Sequence, residues 1–160
     1  MLKSFFKMFL GGFALLLLLQ TGSAQAREQL VLYGDDGAQI IVSLNEIMAF
    51  PATGIVTTTP WTDGERRFTG VSFDTLLDRY GISAPNIQIS ALNDYNVTVP
   101  ASVLRQDGAI LAYHLDGEVM SVRDKGPFWV IFPYDSDPRF QTDTYWSYSV
   151  WQVKSVHGQQ

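Results

Sequence analysis

Cysteine is absent from all 160 residues of this chain. No disulfide can therefore cross-link the fold, so its core has to hold by side-chain packing alone. The absence also removes the one side chain that supplies a soft, anionic sulfur ligand. Any metal centre that depends on a protein thiolate is thereby excluded.

Basic residues are also few. The chain has 11 lysines and arginines against 16 aspartates and glutamates, which gives a formal net charge of −5. The basic residues form only small local groups, at Arg66-Arg67 and at Arg123-Asp124-Lys125. Nucleic-acid binding requires a clustered basic face, so nucleic acid is not an expected partner.

No apolar run is long enough to cross a membrane as a helix. The run Met8–Leu19 has 12 residues, against the roughly 20 that a transmembrane helix needs. Two lysines precede it and Ala24-Gln25-Ala26 follows it, an order typical of a cleaved signal peptide; the alternative is a membrane anchor. We expect residues 1–26 to be removed and residues 27–160 to form one domain, which in a bacterium means the periplasm.

Familiar catalytic and metal-binding signatures are missing as well. The two histidines, His114 and His157, are too few and too far apart for a convincing metal site. The chain has no Gly-rich phosphate loop and no Gly-x-Ser-x-Gly elbow. We therefore name no catalytic residue and no metal ligand.

Short strands dominate the remaining sequence. Alternating and β-branched apolar residues, interrupted by turn pairs such as Asp36-Gly37, Asn93-Asp94 and Asp116-Gly117, are typical of antiparallel pairs. The predicted strands are 30–33, 39–42, 54–59, 87–91, 95–99, 109–115, 128–132 and 149–156.

Helices are brief. Ser43 and Glu46 have the spacing of a capping box. Apolar residues at 73, 76, 77 and 80 recur at helical spacing, with Ser72 as N-cap and Gly81 as terminator. Many strands with few helices predict an α+β domain with mixed or antiparallel sheets.

The order of these elements resembles the molybdopterin-binding domain of the sulfite oxidase family. The matching segments, from about Leu30 to Val156, are TTTPW, FTGVSFDTLL, ISALNDYNVTVP, AILAYHLDGEVM, KGPFWVIFP and SVWQVKSV. Each is a short pattern, and their order and spacing together are fairly specific. The resemblance implies the fold of that family and a site for a pterin-like heterocycle.

Two departures from the family pattern concern the cofactor. The family's enzymes have a metal-binding cysteine near the end of the strand before the Trp, and this chain has Thr57–Thr59 there. The family also often has a basic residue after the Gly-Pro pair, useful for a phosphate, whereas Phe128-Trp129 follows the pair here. Both changes indicate a flat, uncharged ring without metal and make the molybdenum cofactor an unlikely ligand.

A pterin offers two flat faces and an edge of N–H donors. Its site needs an aromatic platform and a carboxylate or carbonyl oxygen at that edge. By analogy with the family, the expected binding residues are Trp61, Arg66, Arg67, Asp94, Tyr95, Lys125, Gly126 and Trp129.

These residues also have structural interpretations. Trp61 either stacks on the ring or packs over the end of the sheet. The planar fork of Arg66 or Arg67 either bonds a ring carbonyl or forms a surface ion pair. Asp94 belongs to a common turn pair, and the loop 124–126 either presents N–H groups to a ligand or is a charged turn. The aromatic and acidic segment 133–146 is either a lid or partner surface, or an ordinary loop anchored on the core.

Three functions follow from the resemblance. The leading hypothesis is a non-catalytic periplasmic pterin-binding protein that presents its occupied state to the periplasmic region of a membrane-bound enzyme of cyclic di-GMP metabolism. The second is a molybdopterin-dependent oxidoreductase or a subunit of one. The third is an interaction module that lost every ligand, whose pocket is empty or filled in, with the side chains of Trp61 and Trp129 packed into the site.

Overall fold

Ten short strands and four short α-helices follow one another in residues 28–160, the part of the chain that the computed structural model describes. The strands are β1 Gln29–Tyr33, β2 Gln39–Ser43, β3 Thr53–Thr57, β4 Arg66–Ser72, β5 Asn86–Ala91, β6 Asn96–Pro100, β7 Ile110–Leu115, β8 Glu118–Val119, β9 Trp129–Ile131 and β10 Val153–Gln159. The helices are α1 Leu44–Met48, α2 Phe73–Arg79, α3 Ala101–Gln106 and α4 Asp143–Tyr148. No helix within these residues is long and apolar enough to cross a membrane. The expected signal peptide, residues 1–26, lies outside the described residues.

The strands form two largely antiparallel sheets. The first has the order β2-β1-β10-β5-β6, in which β1 and β10 are parallel and the other pairs antiparallel. The second has the order β3-β4-β7-β8, and β9 pairs with β7 next to β8. This architecture confirms the predicted α+β class with mixed sheets.

One cluster of buried apolar side chains takes residues from both sheets. Along β5, buried and half-buried residues alternate, as expected for a strand with one face on the core. β9 is buried at every residue, and β7 at its first four residues. The second sheet is therefore covered on both faces where these two strands pair, and that pairing lies beside the candidate site.

Local sequence signals predicted several elements correctly. The capping box forms, with Ser43 accepting from the Glu46 amide and the Glu46 carboxylate accepting from the Ser43 amide. The hydroxyl of Ser72 caps α2, and Gly81 adopts the left-handed φ of 63° just beyond its end. The turn 116–117 has positive φ at both residues and joins β7 to β8.

The predicted strand 149–156 is wrong at both ends. It begins only at Val153 and continues to Gln159. Gln152 has a left-handed φ of 52°, and Trp151 makes only an isolated bridge with Trp129. Residues 149–152 therefore leave the sheet, which places them at the candidate site described below.

Three elements carried no recognisable signal. β4 has the sequence RRFTGVS, in which two arginines and a glycine leave few of the β-branched residues that are typical of a strand. α3 begins after Pro100 without a side-chain cap, and α4 begins after Thr142 likewise without one. Tertiary packing determines these elements more than local propensity does.

Gly70 marks a point of close backbone approach between β4 and β7. The pairing register shifts between Thr69 and Gly70. A Cβ atom at Gly70 would lie 2.2 Å from the Leu111 carbonyl oxygen, which is far inside van der Waals contact. Only glycine allows β4 to reach β7 at this position.

We predict that Gly70→Ala lowers the free energy of unfolding by at least about 2 kcal/mol, because the methyl group meets backbone that cannot move aside cheaply. Urea denaturation followed by far-ultraviolet circular dichroism measures the change. Gly54→Ala on the neighbouring edge strand β3 is the matched control. Its Cβ would meet Arg67 at an ordinary 3.7 Å, so its effect should stay within about 0.5 kcal/mol. Equal effects of the two substitutions would contradict the prediction.

Candidate ligand-binding site

A cavity of about 250 Å³ opens between three segments of the chain. These segments are the loop that carries Trp61, the turn between β5 and β6, and residues 146–151 at the end of α4 and beyond it. The lining residues are Trp61, Ala91, Asn93, Tyr95, Trp146, Ser147, Ser149, Val150 and Trp151. Aromatic rings with a few polar groups are the usual composition of small-molecule sites.

Three tryptophans form the floor of this cavity and its support. The ring centroids of Trp61 and Trp151 lie 5.5 Å apart, and both rings contact Trp129 at 5.9 and 6.4 Å. Trp129 is fully buried and donates its indole N–H to the Ser149 carbonyl oxygen at 3.2 Å. Trp129 therefore does not line the cavity and instead holds the two rings that do.

The loop before Trp61 is fixed by threonine hydroxyls. The Trp61 amide donates to the Thr59 hydroxyl at 3.1 Å. That hydroxyl also shares a hydrogen bond of 2.9 Å with the hydroxyl of Thr62. The half-buried indole of Trp61 thus has a defined position on the cavity wall.

The opposite wall is formed by α4 and the residue that follows it. The Tyr95 hydroxyl donates to the Ser147 carbonyl oxygen at 3.0 Å, which links the β5–β6 turn to α4. The Ser149 hydroxyl donates to the Tyr145 carbonyl oxygen and also bonds the hydroxyl of Tyr134. Burial raises the pKa of Tyr134 to about 12, so this phenol stays protonated at neutral pH.

Tyr145 anchors α4 to the body of the protein. Its hydroxyl donates to Asp107 at 2.7 Å, and Asp107 also pairs with Arg139 at 2.8 Å. Burial, with the Asp107 carboxylate as a further cause, raises the pKa of Tyr145 to about 12. The ring packs edge-on against Phe132 and Phe140. The segment 133–146 is thus held against the core through Tyr145, and its Trp146 reaches the cavity.

Lys125 and Gly126 build the support of the site rather than its wall. The Lys125 ammonium lies over the rings of Trp129 and Trp151, at 5.8 and 5.4 Å from their centroids. Its carbonyl oxygen accepts from the Gln152 amide. A Cβ atom at Gly126 would meet the Met120 carbonyl oxygen at 2.0 Å. Glycine is therefore required at this position by the close approach of two backbone segments.

The remaining candidates lie away from the cavity wall. Arg66 pairs with Asp116 at 2.6 Å, and the Arg67 amide donates to the same carboxylate. These bonds hold the pKa of Asp116 below its usual value, and the bond from the Arg67 amide has the largest effect. Asp94 has a left-handed φ of 66° in the β5–β6 turn and pairs with Lys154 at 2.5 Å. Of the eight predicted residues, Trp61 and Tyr95 line the cavity.

The cavity has wall residues that the sequence pattern did not indicate. These residues are Trp146, Ser147, Ser149 and Trp151. The aromatic content of segment 133–146 is the sequence feature that points to Trp146. The strand predicted over 149–156 gives no sign of the role of Trp151, because the strand begins only at Val153.

Thr57–Thr59, which the resemblance places where the family's enzymes have a cysteine, are engaged in hydrogen bonds. The Thr58 amide and hydroxyl both donate to the Asp135 carboxylate, at 2.6 and 2.7 Å. The Asp135 amide donates in return to the hydroxyl of the buried Thr57 at 3.1 Å. We call this set of bonds the Thr58–Asp135 clamp. Hard hydroxyl groups engaged in this way do not fit the soft-ligand requirement of a thiolate-held metal.

A second cavity of about 240 Å³ adjoins the clamp. Its lining residues are Thr58, Thr59, Pro60, Tyr134, Gln141 and Trp146. Trp146 lines both cavities. Within residues 28–160, no three histidine or carboxylate side chains are grouped so that they could hold a metal ion.

Comparison with known proteins agrees with this architecture. Residues 27–135 match the family model described as the oxidoreductase molybdopterin-binding domain. The fold is similar to the crystal structure of the sulfane dehydrogenase SoxCD from Paracoccus pantotrophus, with a TM-score of 0.61 and 13% sequence identity. The superposition covers 82% of this chain and 38% of that one, so this chain spans well under half of the SoxCD chain. No curated protein matched the sequence.

We predict that Asp135→Asn destabilises the protein by about 1 kcal/mol at pH 7, less than a typical bond to a charged group contributes, because solvent screens the exposed Asp135 carboxylate. The Thr58 bonds hold the pKa of Asp135 below its ordinary value of 3.8. A lowered pKa contributes stability that is present at neutral pH and is lost as the pH falls through the folded-state pKa. The gap in unfolding free energy between wild type and variant should therefore be constant above about pH 5 and should close in more acidic solution.

Urea denaturation at a series of pH values measures that gap. Asp63→Asn, at an exposed position in the loop after Trp61, is the control for removing one acidic charge. A gap that stays unchanged down to pH 2 would show that the Asp135 carboxylate does not stabilise the clamp.

Proposed function

This chain belongs to the oxidoreductase molybdopterin-binding domain family, and from that membership and its cavity we propose that it is a non-catalytic periplasmic protein that binds a pterin without a metal. The observation that carries the proposal is the cavity lined by Trp61, Trp146 and Trp151. Its volume of about 250 Å³ lies just below the range of about 300–1,000 Å³ typical of drug-sized sites. A two-ring heterocycle is a ligand of suitable size.

The chemistry of the wall also favours such a ring. Indole faces stack on flat heterocycles by dispersion and by the attraction between complementary ring quadrupoles. The Asn93 side-chain oxygen accepts from the Tyr95 amide, which leaves its two amide hydrogens for a ring carbonyl or ring nitrogen. Ser147 adds a further polar group to the same wall. These groups can orient a ring edge while the tryptophans hold its faces.

The donor set argues for a pterin without molybdenum. The position expected for the metal thiolate is occupied by threonines, and the Thr58–Asp135 clamp uses their polar groups. If the molybdenum cofactor were bound, it would supply oxygen-atom and electron transfer, but this chain has no cysteine thiolate to ligate its metal. We therefore assign Trp61, Trp146 and Trp151 to ring binding and assign no residue to catalysis.

The cavity supports a ligand-binding protein over an interaction module whose pocket is filled in. Trp61 packs against Trp129, as the interaction-module hypothesis expected. The packing nevertheless leaves open space beside Trp61. Among the described residues, no side-chain nitrogen or oxygen is buried without a hydrogen-bond partner.

We also propose a signalling role, which the exposed residues near the cavity support. Tyr95, which lines the cavity, is 45% exposed, and Leu92 in the same β5–β6 turn is 41% exposed, values that are high for large apolar side chains. A partner contacting these residues would touch the cavity and would sense whether it is filled. We propose that the partner is the periplasmic region of a membrane-bound enzyme that makes or degrades cyclic di-GMP. Ligand and partner are then coupled by linkage, because a ligand transmits a signal only if it binds the partner-competent form more tightly.

The first test is to identify what the protein carries. Mass spectrometry of small molecules released by denaturing periplasm-purified protein should detect a pterin, and a metal assay on the same sample should detect no molybdenum. Molybdenum together with molybdopterin would contradict the proposal and favour an oxidoreductase. If neither is found, and added reduced pterins do not raise the melting temperature, the interaction module is the better hypothesis.

Trp61→Ala should weaken pterin binding by about 1 to 3 kcal/mol, the range found when an aromatic platform under a base is removed. Isothermal titration calorimetry of the variant measures the loss. The control is Tyr33→Ala, which removes an aromatic ring that packs against His157 in the first sheet. A folded Trp61→Ala protein with wild-type affinity would remove Trp61 from the binding site.

The partner hypothesis is tested in cells. Deleting the gene for this chain should change the intracellular level of cyclic di-GMP, and a plasmid copy should restore it. The Trp61→Ala copy should fail to restore it while the Tyr33→Ala copy succeeds. Restoration of the cyclic di-GMP level by both copies would show that ligand binding through Trp61 is not needed for signalling.

A further inference from the structure

The strand β2 forms an open edge of the first sheet. Within residues 28–160, β2 pairs with β1 on one side, and no strand pairs with its other side. Ile40 and Ile41 of this strand are 36% and 56% exposed. Edge strands are usually kept from pairing with another chain by lysine, proline or a bulge. β2 has the sequence QIIVS, without charge or proline, and its register with β1 is unbroken.

The other edge strands among the described residues are less open. β6 ends at Pro100 and contacts α4. β8 has only two residues, one of them Glu118, and β9 is buried at every residue. β3 contains Gly54, and the chain directly after it is held by the Thr58–Asp135 clamp. Of these strands, β2 is therefore the most accessible to an added strand.

The β1–β2 ladder determines which backbone groups of β2 point toward the open edge. The Gly34 amide donates to the Ala38 carbonyl oxygen at 3.0 Å, and the Leu44 amide donates to the Glu28 carbonyl oxygen at 2.8 Å. Each of these two pairs is thus a hydrogen-bonded pair of the ladder. Because such pairs alternate with pairs that are not hydrogen-bonded, the even-numbered residues of β2 bond β1. The odd-numbered residues direct their N–H and C=O groups outward.

Two of the three outward-facing residues are available for pairing. The Ser43 amide already donates to the Glu46 carboxylate in the capping box, at 2.8 Å. Gln39 and Ile41 have no hydrogen-bond partner on this side within the described residues. A second β2, antiparallel about a two-fold axis through Ile40, would place each Gln39 opposite the other copy's Ile41. Both symmetry-related pairs could then exchange their N–H···O bonds without disturbing the helix cap.

The side chains also match in this register. Ile40 lies opposite Ile40 of the second copy in a non-hydrogen-bonded pair, the kind in which facing side chains are closest. β2 carries no charge, so two copies of a chain with a net charge of −5 can meet at this strand without facing like charges. A two-fold contact must be complementary to itself, and this register of β2 satisfies that condition.

From these observations we infer that β2 is a self-association edge, at which two copies of the chain pair antiparallel about Ile40 and join their first sheets. The pairing uses the open edge of both copies, so association at this edge stops at a dimer. One strand pair is a small contact, well under the roughly 1,200 Å² of a standard interface, so we expect a weak dimer that forms at high protein concentration. β2 and β6 are at opposite ends of the strand order, so this inference does not depend on the ligand proposed for the cavity beside the β5–β6 turn.

The absence of cysteine allows a direct test with single-cysteine variants. Facing residues of a non-hydrogen-bonded pair have Cα atoms about 4.5 Å apart, which suits a disulfide. Two copies of position 41 would lie more than about 7 Å apart, too far for one. In oxidised glutathione, Ile40→Cys should therefore form a disulfide-linked dimer at least about tenfold faster than Ile41→Cys. Non-reducing gel electrophoresis measures both rates.

Exposure alone predicts the opposite order of rates. Ile41 is the more exposed of the two side chains, so random collision would cross-link position 41 faster. Val56→Cys, at a 45% exposed position of the edge strand β3, is the matched control. It should cross-link as slowly as Ile41→Cys.

Sedimentation velocity tests the same contact without any cysteine. The average mass of the unsubstituted protein should rise from monomer toward dimer between about 10 μM and about 1 mM, as expected for a small interface. Ile40→Lys or Ile40→Glu alone should abolish the rise, because like charges then face each other. An equimolar mixture of these two variants should restore it, because opposite charges face each other. Val56→Lys is the control and should keep the rise.

Three results would overturn the inference. They are equal or faster cross-linking at position 41, an unsubstituted protein that stays monomeric at about 1 mM, and self-association that persists unchanged in Ile40→Lys. Pterin binding measured on the same samples is a separate result, so failure of the dimer leaves the proposed function intact. The unsubstituted protein gives an answer even if a variant does not fold.

Discussion

The site depends on the contacts that the buried indole of Trp129 makes with the residues around it. Trp129 lies on β9, opposite Ala112 of β7, and packs edge-on against Phe68 of β4. Its N–H holds the Ser149 carbonyl oxygen, and its backbone bridges Trp151. One side chain thus connects the centre of the second sheet to the irregular segment that forms the cavity wall. Because interiors are closely packed, the position of this ring determines where the rings of Trp61 and Trp151 can lie.

Much of the fold could be predicted because its signals are local. The capping box at Ser43, the turn at 116–117 and the periodicity of α2 each require only a few neighbouring residues, and each formed as expected. The segments that failed depend on distant partners. β4 is a strand because β3 and β7 pair with it on both sides. The sequence RRFTGVS by itself does not indicate these partners. The order of the elements along the chain, compared with that of a known family, predicted the overall fold, which hydrophobic periodicity alone could not predict.

The candidate site was predictable in part for the same reason. Trp61 stands in a polar loop where an indole needs an explanation, and Tyr95 belongs to a segment that resembles the one close to the cofactor in the family, so both were predictable as single residues. The wall contributed by Trp146 and Trp151 requires a break between α4 and β10 that sequence alternation does not show. Conversely, the resemblance to the family suggested Asp94 and the planar guanidinium group suggested Arg66, whose ammonium and carboxylate partners lie 60 and 50 residues away along the chain.

The placement of the tryptophans has an optical consequence. The whole sequence contains four of them, at positions 61, 129, 146 and 151. Three line the first cavity and the fourth supports two of those three. Every indole emitter in the protein is therefore at or directly behind one site, with none elsewhere to add a constant background. The intrinsic fluorescence of this chain is in effect a label already attached to its cavity, and its emission spectrum describes the polarity of that cavity rather than an average over the molecule.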